Sequence, residues 1–246
     1  MSTASKARLA GREALPPALA ALSLTAGLAL VLGLGRSLAP MICGGDGSAI
    51  NVGPLTLILA PWGLALGWLL MLAAMTPVLL IAPLRHLWDR SFADRRAGAM
   101  ALFGVGYLGV WTAAGVPLML AAYALKSAPA PLLLTLALAL AWQMSPPKQA
   151  MLNRCHRRPP IAVFGIAAAR DALGYGASSG LWCFGACWAL MLAPLVAERH
   201  QLAIMAAVAL FAWAERFDPP AALDWRWRAP KRLARALASR VHQLLV

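Results

Sequence analysis

The chain has 246 residues, is 61% hydrophobic and only 13% charged, and carries a formal net charge of +13. Soluble domains run about 45–50% apolar and about 25% charged. With a mean hydropathy of +0.69, these figures exclude an ordinary soluble enzyme and a disordered chain, and point to a polytopic membrane protein.

A helical span needs roughly 20 mainly apolar residues. Six segments meet or approach that length: 17–38, 55–84, 97–125, 131–144, 178–197 and 201–214, the fourth and sixth being short. The first follows Lys6, Arg8 and Arg12, as the apolar part of a signal peptide would. Its apolar run is longer than the typical 7–15 residues and no A-x-A site follows, so we expect a retained span. The run 161–169 is too short to span and reads as an interfacial or re-entrant piece leading into the fifth helix. The expected fold is an all-α polytopic membrane helix bundle of about six transmembrane helices. Residues 1–16 form a tail, 17–216 the bundle, and 217–246 a basic tail. Within the last segment, Trp225, Trp227, Leu233, Leu237, Val241 and Leu244 can share an apolar side while Arg and Lys face anionic headgroups.

Six spans put both termini on one side. Basic residues on that side number three in the N-terminal tail (Lys6, Arg8, Arg12) and four after helix two (Arg85, Arg90, Arg95, Arg96). Five more lie between helices four and five (Lys148, Arg154, Arg157, Arg158, Arg170), and seven in the C-terminal tail (Arg216, Arg226, Arg228, Lys231, Arg232, Arg235, Arg240). Only Arg36, Lys126 and Arg199 fall on the other side. The positive-inside rule then makes both the N and C termini cytoplasmic. The surplus charge thus reports orientation at a lipid bilayer, and no nucleic acid partner is expected.

Ionisable residues within the spans are nearly absent. Arg170 and Asp171 stand at the entry to helix five, Glu215 and Arg216 at the exit of helix six. No Walker A, H-E-x-x-H, C-x-x-C or G-x-S-x-G motif occurs, so no enzyme class is indicated. The chemistry left is sulfur, imidazole and aromatic. In WCFGACWALM (182–191), Cys183, Cys187 and Met191 recur at i, i+4 and i+8 and so share one helix face. Three sulfurs in line suit a soft ion such as Cu(I), and equally suit packing in a small-residue interface. On helix two, Met71 and Met75 repeat the i, i+4 spacing before Pro77. Met75 lies ten residues before Arg85 and Cys183 twelve after Asp171, which gives the two a similar depth at 1.5 Å per residue. A two-helix site of Met75, Cys183 and Cys187 is therefore open, with Met71 and Met191 further outward. The segment PPKQAMLNRCHRRPP holds Met151, Cys155 and His156, which are either ligands for copper or zinc or part of a basic loop on anionic lipid. Met41 and Cys43 form a weaker pair in a Gly-rich outer loop.

The series LLMLAAMTP, GVGYLGVW, AWQMSPPKQAMLNRCHRRPP and GLWCFGACWALM resembles a bacterial family of multi-spanning membrane proteins, domain of unknown function 2182. That family is described as a predicted metal-binding integral membrane protein, some members being labelled copper chaperones. The resemblance covers about residues 62–214. It implies Cu(I) handling at the bacterial inner membrane and a membrane or periplasmic cuproprotein as partner. It matches Cys183 and Cys187 to the family's helix-five cysteines, Met75 to a Met-Met-x-Pro methionine, and Lys148 and Cys155 to the loop motif. The chain departs from the family in having Ala74 beside Met75 and Met151 where a cysteine is usual. Two other functions are open from the residues themselves: a non-catalytic assembly scaffold without metal, and a permease or thiol-disulfide protein.

Overall fold

In a hydrocarbon environment each backbone segment has to satisfy its own N–H and C=O groups, and the helix does so within one segment. The computed structural model describes residues 3–31, 61–197, 200–228 and 230. Among these the chain is all-helical with no strand: α1 (Thr3–Val31), α2 (Pro61–Met75), a 3-10 turn (Pro77–Leu80), α3 (Ile81–Arg90), α4 (Arg96–Lys126), α5 (Pro131–Met144), α6 (Pro146–Arg154), α7 (Gly165–Val196) and α8 (Gln201–Phe217). The pair Met41 and Cys43, and most of the basic tail, lie outside the described residues.

Among the described residues, three helices are long and apolar enough to cross a membrane: the Arg12–Leu30 part of α1, α4 and α7. Ala65–Met75 and Pro77–Arg90 make a fourth if that bent pair is one span. At 14 and 17 residues, α5 and α8 fall short of the roughly 20 a span needs. Among the described residues, three helices thus meet the length and composition of a span, or four with the bent pair. Expected segment two is also not one straight helix. Pro77 has no N–H to continue the ladder, and the chain bends by 59° at the break. Just before it, the Thr76 hydroxyl donates to the Leu72 carbonyl at 2.8 Å.

Two further boundaries differ from the sequence reading. Helix α1 begins at Thr3, so residues described before position 17 are helical. Helix α7 begins at Gly165, absorbing most of the piece expected to be re-entrant. Gly165 has φ +68°, a backbone conformation that favours glycine, and there the extended connector turns into the helix. Asp171 fixes that connector by accepting from the Ala162 N–H at 2.8 Å.

The core is built on the crossing of α4 and α7, the most extensively packed pair of helices. A Cβ on Gly106 would strike the Leu173 carbonyl, and one on Gly176 the Phe103 carbonyl. The two backbones therefore touch, as small residues permit in membrane helix pairs. On the other side of α7, Trp142 of α5 donates from Nε1 to the Gly185 carbonyl at 3.0 Å. Met151 of α6 lies over that same glycine. Helix α2 is held to α4 by Trp68, whose Nε1 donates to the Trp111 carbonyl at 3.2 Å while its indole fills the space a Cβ on Gly115 would need. Helix α8 closes onto α2 through Trp213 Nε1, 2.7 Å from the Met75 carbonyl. Leu133, Leu134, Leu136 and Leu140 of α5 are exposed, as on a helix facing hydrocarbon.

Candidate metal centre

Cys183, Cys187 and Met191 form the expected stripe on α7, and the helix crossing decides what it faces. Gly176 and Gly180 lie on the same side, so the stripe turns toward α4. Cys183 and Met191 are buried and Cys187 is half-buried. The Tyr107 hydroxyl of α4 donates to Cys183 Sγ at 3.3 Å. The Cys187 thiol lies one helical turn from Cys183 on the same face, close enough for the two to interact. Both are free thiols, as is Cys155. Aromatic rings wall the site. Trp111 meets Phe184 edge-on at 5.5 Å, and Tyr107 stands 6.4 Å from Trp111 and 6.3 Å from Phe103. Cys183 thus sits beside one hydroxyl among aromatic rings, with Cys187 half-buried on the same face.

The methionines of α2 stand apart from this face. Met71 and Met75 are buried in the same core. Yet α2 packs chiefly against α1, with lesser contacts to α4, α8 and the 3-10 turn, and makes little contact with α7. The two helices that carry Met75 and the Cys183–Cys187 pair therefore share no extensive interface. Trp68 binds α2 to α4 instead.

The residues of α6 divide as well. Met151 packs on Gly185, two residues from each cysteine and hence about 200° around the helix from either. It contacts the opposite side of α7 from the thiols. His156, just after α6, has both ring nitrogens at backbone carbonyls, Nδ1 at 3.0 Å from Leu152 and Nε2 at 3.1 Å from Arg216. So placed, it turns no free lone pair toward a metal. Cys155 lines a cavity with several arginines. Among the described residues, no three His, Cys, Asp or Glu side chains gather as a metal-holding group. A metal site here has to use the two thiols with thioether or hydroxyl neighbours.

One polar cluster escaped the sequence reading. Lys148, expected in a basic loop on anionic lipid, is buried, and its ammonium pairs with the Glu215 carboxylate. Gln143 Nε2 donates to the same oxygen. Glu215 lies beyond the apolar run of α8, where burial pushes its carboxyl above the usual carboxylate range against the opposing pull of Lys148 and Gln143. Both charges act on Cys187 through space. The available signal was a lone acidic residue ending an apolar run and a lysine just after a helix-opening Pro-Pro. Nothing in the spacing joins them, because 67 residues separate the pair.

An all-helical bundle with long apolar helices and a paired-thiol face is the class of protein these features define. A family described as copper chaperone, PpoB2, matches residues 65–230, and the chain belongs to that family. No curated protein and no solved structure matches it.

Proposed function

We propose that the chain is an integral protein of the bacterial inner membrane that holds Cu(I) transiently as cargo and hands it to a membrane or periplasmic cuproprotein, without catalysing a reaction itself. Membership of the copper chaperone family and the long apolar helices support this reading. The observation that carries it is the contact between the free thiols of Cys183 and Cys187 inside the bundle. Cys183 and Cys187 would supply thiolates, and Met191, on the same face, a thioether. Two thiolates and a thioether suit a soft monovalent ion, which takes thiolate and thioether ligands; structural Zn(II) sites use four Cys or His ligands, and Mg(II) takes oxygen. Tyr107 is placed to donate a hydrogen bond to the Cys183 sulfur and so hold its orientation. Each thiol loses its proton on binding, so affinity rises with pH. We read both termini as cytoplasmic, from the placement of basic residues.

The test is copper retention by purified protein in detergent. We expect one Cu(I) per chain, lost in the Cys183→Ser, Cys187→Ser double variant. Unchanged stoichiometry and affinity in that variant would refute the assignment.

A further inference from the structure

A second site lies away from the thiols, in a cavity of about 330 Å³. Five arginines line it, Arg12, Arg85, Arg157, Arg158 and Arg216, against a single carboxylate, Asp89. They come from four parts of the chain: α1, α3, the connector after α6, and the end of α8. Arg12 takes the carboxylate, with its Nη2 3.2 Å from Asp89 Oδ2. Among the described residues, no carboxylate lies within ion-pair distance of the other four.

Two of those four are also withdrawn from water. Arg85 Nε is buried with no hydrogen-bond partner. Burial lowers the pKa of Arg216 to about 10. Buried donors and charges are expensive unless paired, and the described residues leave this cavity short of negative charge. A bare Cu(I) ion does not supply it, since the arginines repel it, and both ring nitrogens of His156 already face backbone carbonyl oxygens. An anion does. Guanidinium forks match the oxygens of a phosphate in geometry as well as sign. The position fits too. Arg85 follows the apolar stretch of the bent pair, and Arg216 stands two residues past the apolar run 201–214. Both therefore stand where chains leave hydrocarbon, and basic pockets at that level take lipid headgroups.

We propose that this arginine-lined cavity is a binding site for a phosphate group, carried by an anionic phospholipid headgroup or by a soluble phosphate. Arg85 and Arg216 grip it from inside, and the exposed Arg157 and Arg158 hold it at the rim.

The full chain in detergent is offered dioleoyl phosphatidylglycerol, dioleoylglycerol (the same chains without phosphate) or inorganic phosphate. Retained ligand is counted by native mass spectrometry, and thermal unfolding is followed by tryptophan fluorescence. We expect one phosphatidylglycerol retained, a raised unfolding temperature, and no such effect of dioleoylglycerol. Arg85→Gln with Arg216→Gln should weaken retention at least tenfold. Arg157→Gln with Arg158→Gln, at exposed positions that leave folding intact, should weaken it severalfold. Displacement of the lipid by millimolar inorganic phosphate assigns the site to soluble phosphate, and persistence of the lipid assigns it to the headgroup. Equal retention of the two lipids, or unchanged binding in the rim variant, overturns the proposal.

Discussion

The described cysteines occupy two chemically opposite places. Cys183 and Cys187 sit at the α4–α7 crossing, where backbones touch at Gly106 and Gly176 and the nearest polar partner is the Tyr107 hydroxyl. Cys155 lines a cavity among arginines, and the histidine beside it is engaged by two carbonyls. The first place is sulfur-rich, and suits a soft cation. The second is strongly positive, and suits an anion. Donor residues of the same types, read along the sequence, therefore separate into two sites by the electrostatics around them. The buried Lys148–Glu215 pair joins α6 to the end of α8 and acts on Cys187.

That contrast can be broken from its strongest feature downward. Lys148→Met leaves Glu215 buried without its partner, and should cost about 3–5 kcal/mol of stability. Replacing both residues, Lys148→Met with Glu215→Leu, should restore most of that loss, because an apolar pair needs no desolvation. Chemical unfolding in detergent measures both. Next, Cys183→Ser should weaken Cu(I) binding on the order of 100-fold or more, as a soft ligand is lost, whereas Cys155→Ser should leave it within about threefold if the sites are separate. Competition titration against a colorimetric Cu(I) chelator reads the difference. Gly176→Ala, forcing a Cβ onto the Phe103 carbonyl, should destabilise by about 1–3 kcal/mol. Gly98→Ala, with nothing within 4 Å, should not destabilise. The smallest effect is expected for Tyr107→Phe, which removes one hydrogen bond to Cys183. A loss of about 0.5–1.5 kcal/mol corresponds to roughly 2- to 13-fold weaker Cu(I) retention in the same titration.

The sequence made the helical class and the thiol stripe legible, because both rest on local spacing. An apolar run calls for helix, and residues at i, i+4 and i+8 share a face whatever surrounds them. It was less informative about which faces meet. Met75 and Cys183 have comparable depths, but depth says nothing of rotation or neighbours, and Trp68 ties α2 to α4 instead of α7. Met151 and Cys155 share the i, i+4 spacing of Cys183 and Cys187, yet the packing on Gly185 puts Met151 on the far side of α7. The length of α7 was also concealed, because Arg170 and Asp171 look like a boundary in a hydropathy profile. In the structure Asp171 bonds the connector, and the helix begins six residues earlier at Gly165. The pairing of Lys148 with Glu215 is a long-range outcome of helix packing with no local signature.

The central claim is that copper sits at the thiol face of α7 and not among the residues that follow α6. X-ray absorption at the copper edge of the Cu(I)-loaded full chain tests it most directly, with wild type, Cys155→Ser and the Cys183→Ser, Cys187→Ser variant compared side by side. The account predicts a first shell of sulfur alone, identical in wild type and Cys155→Ser, and no bound copper in the double variant. Imidazole scattering in wild type, or a sulfur shell that survives in the double variant and disappears in Cys155→Ser, would contradict it.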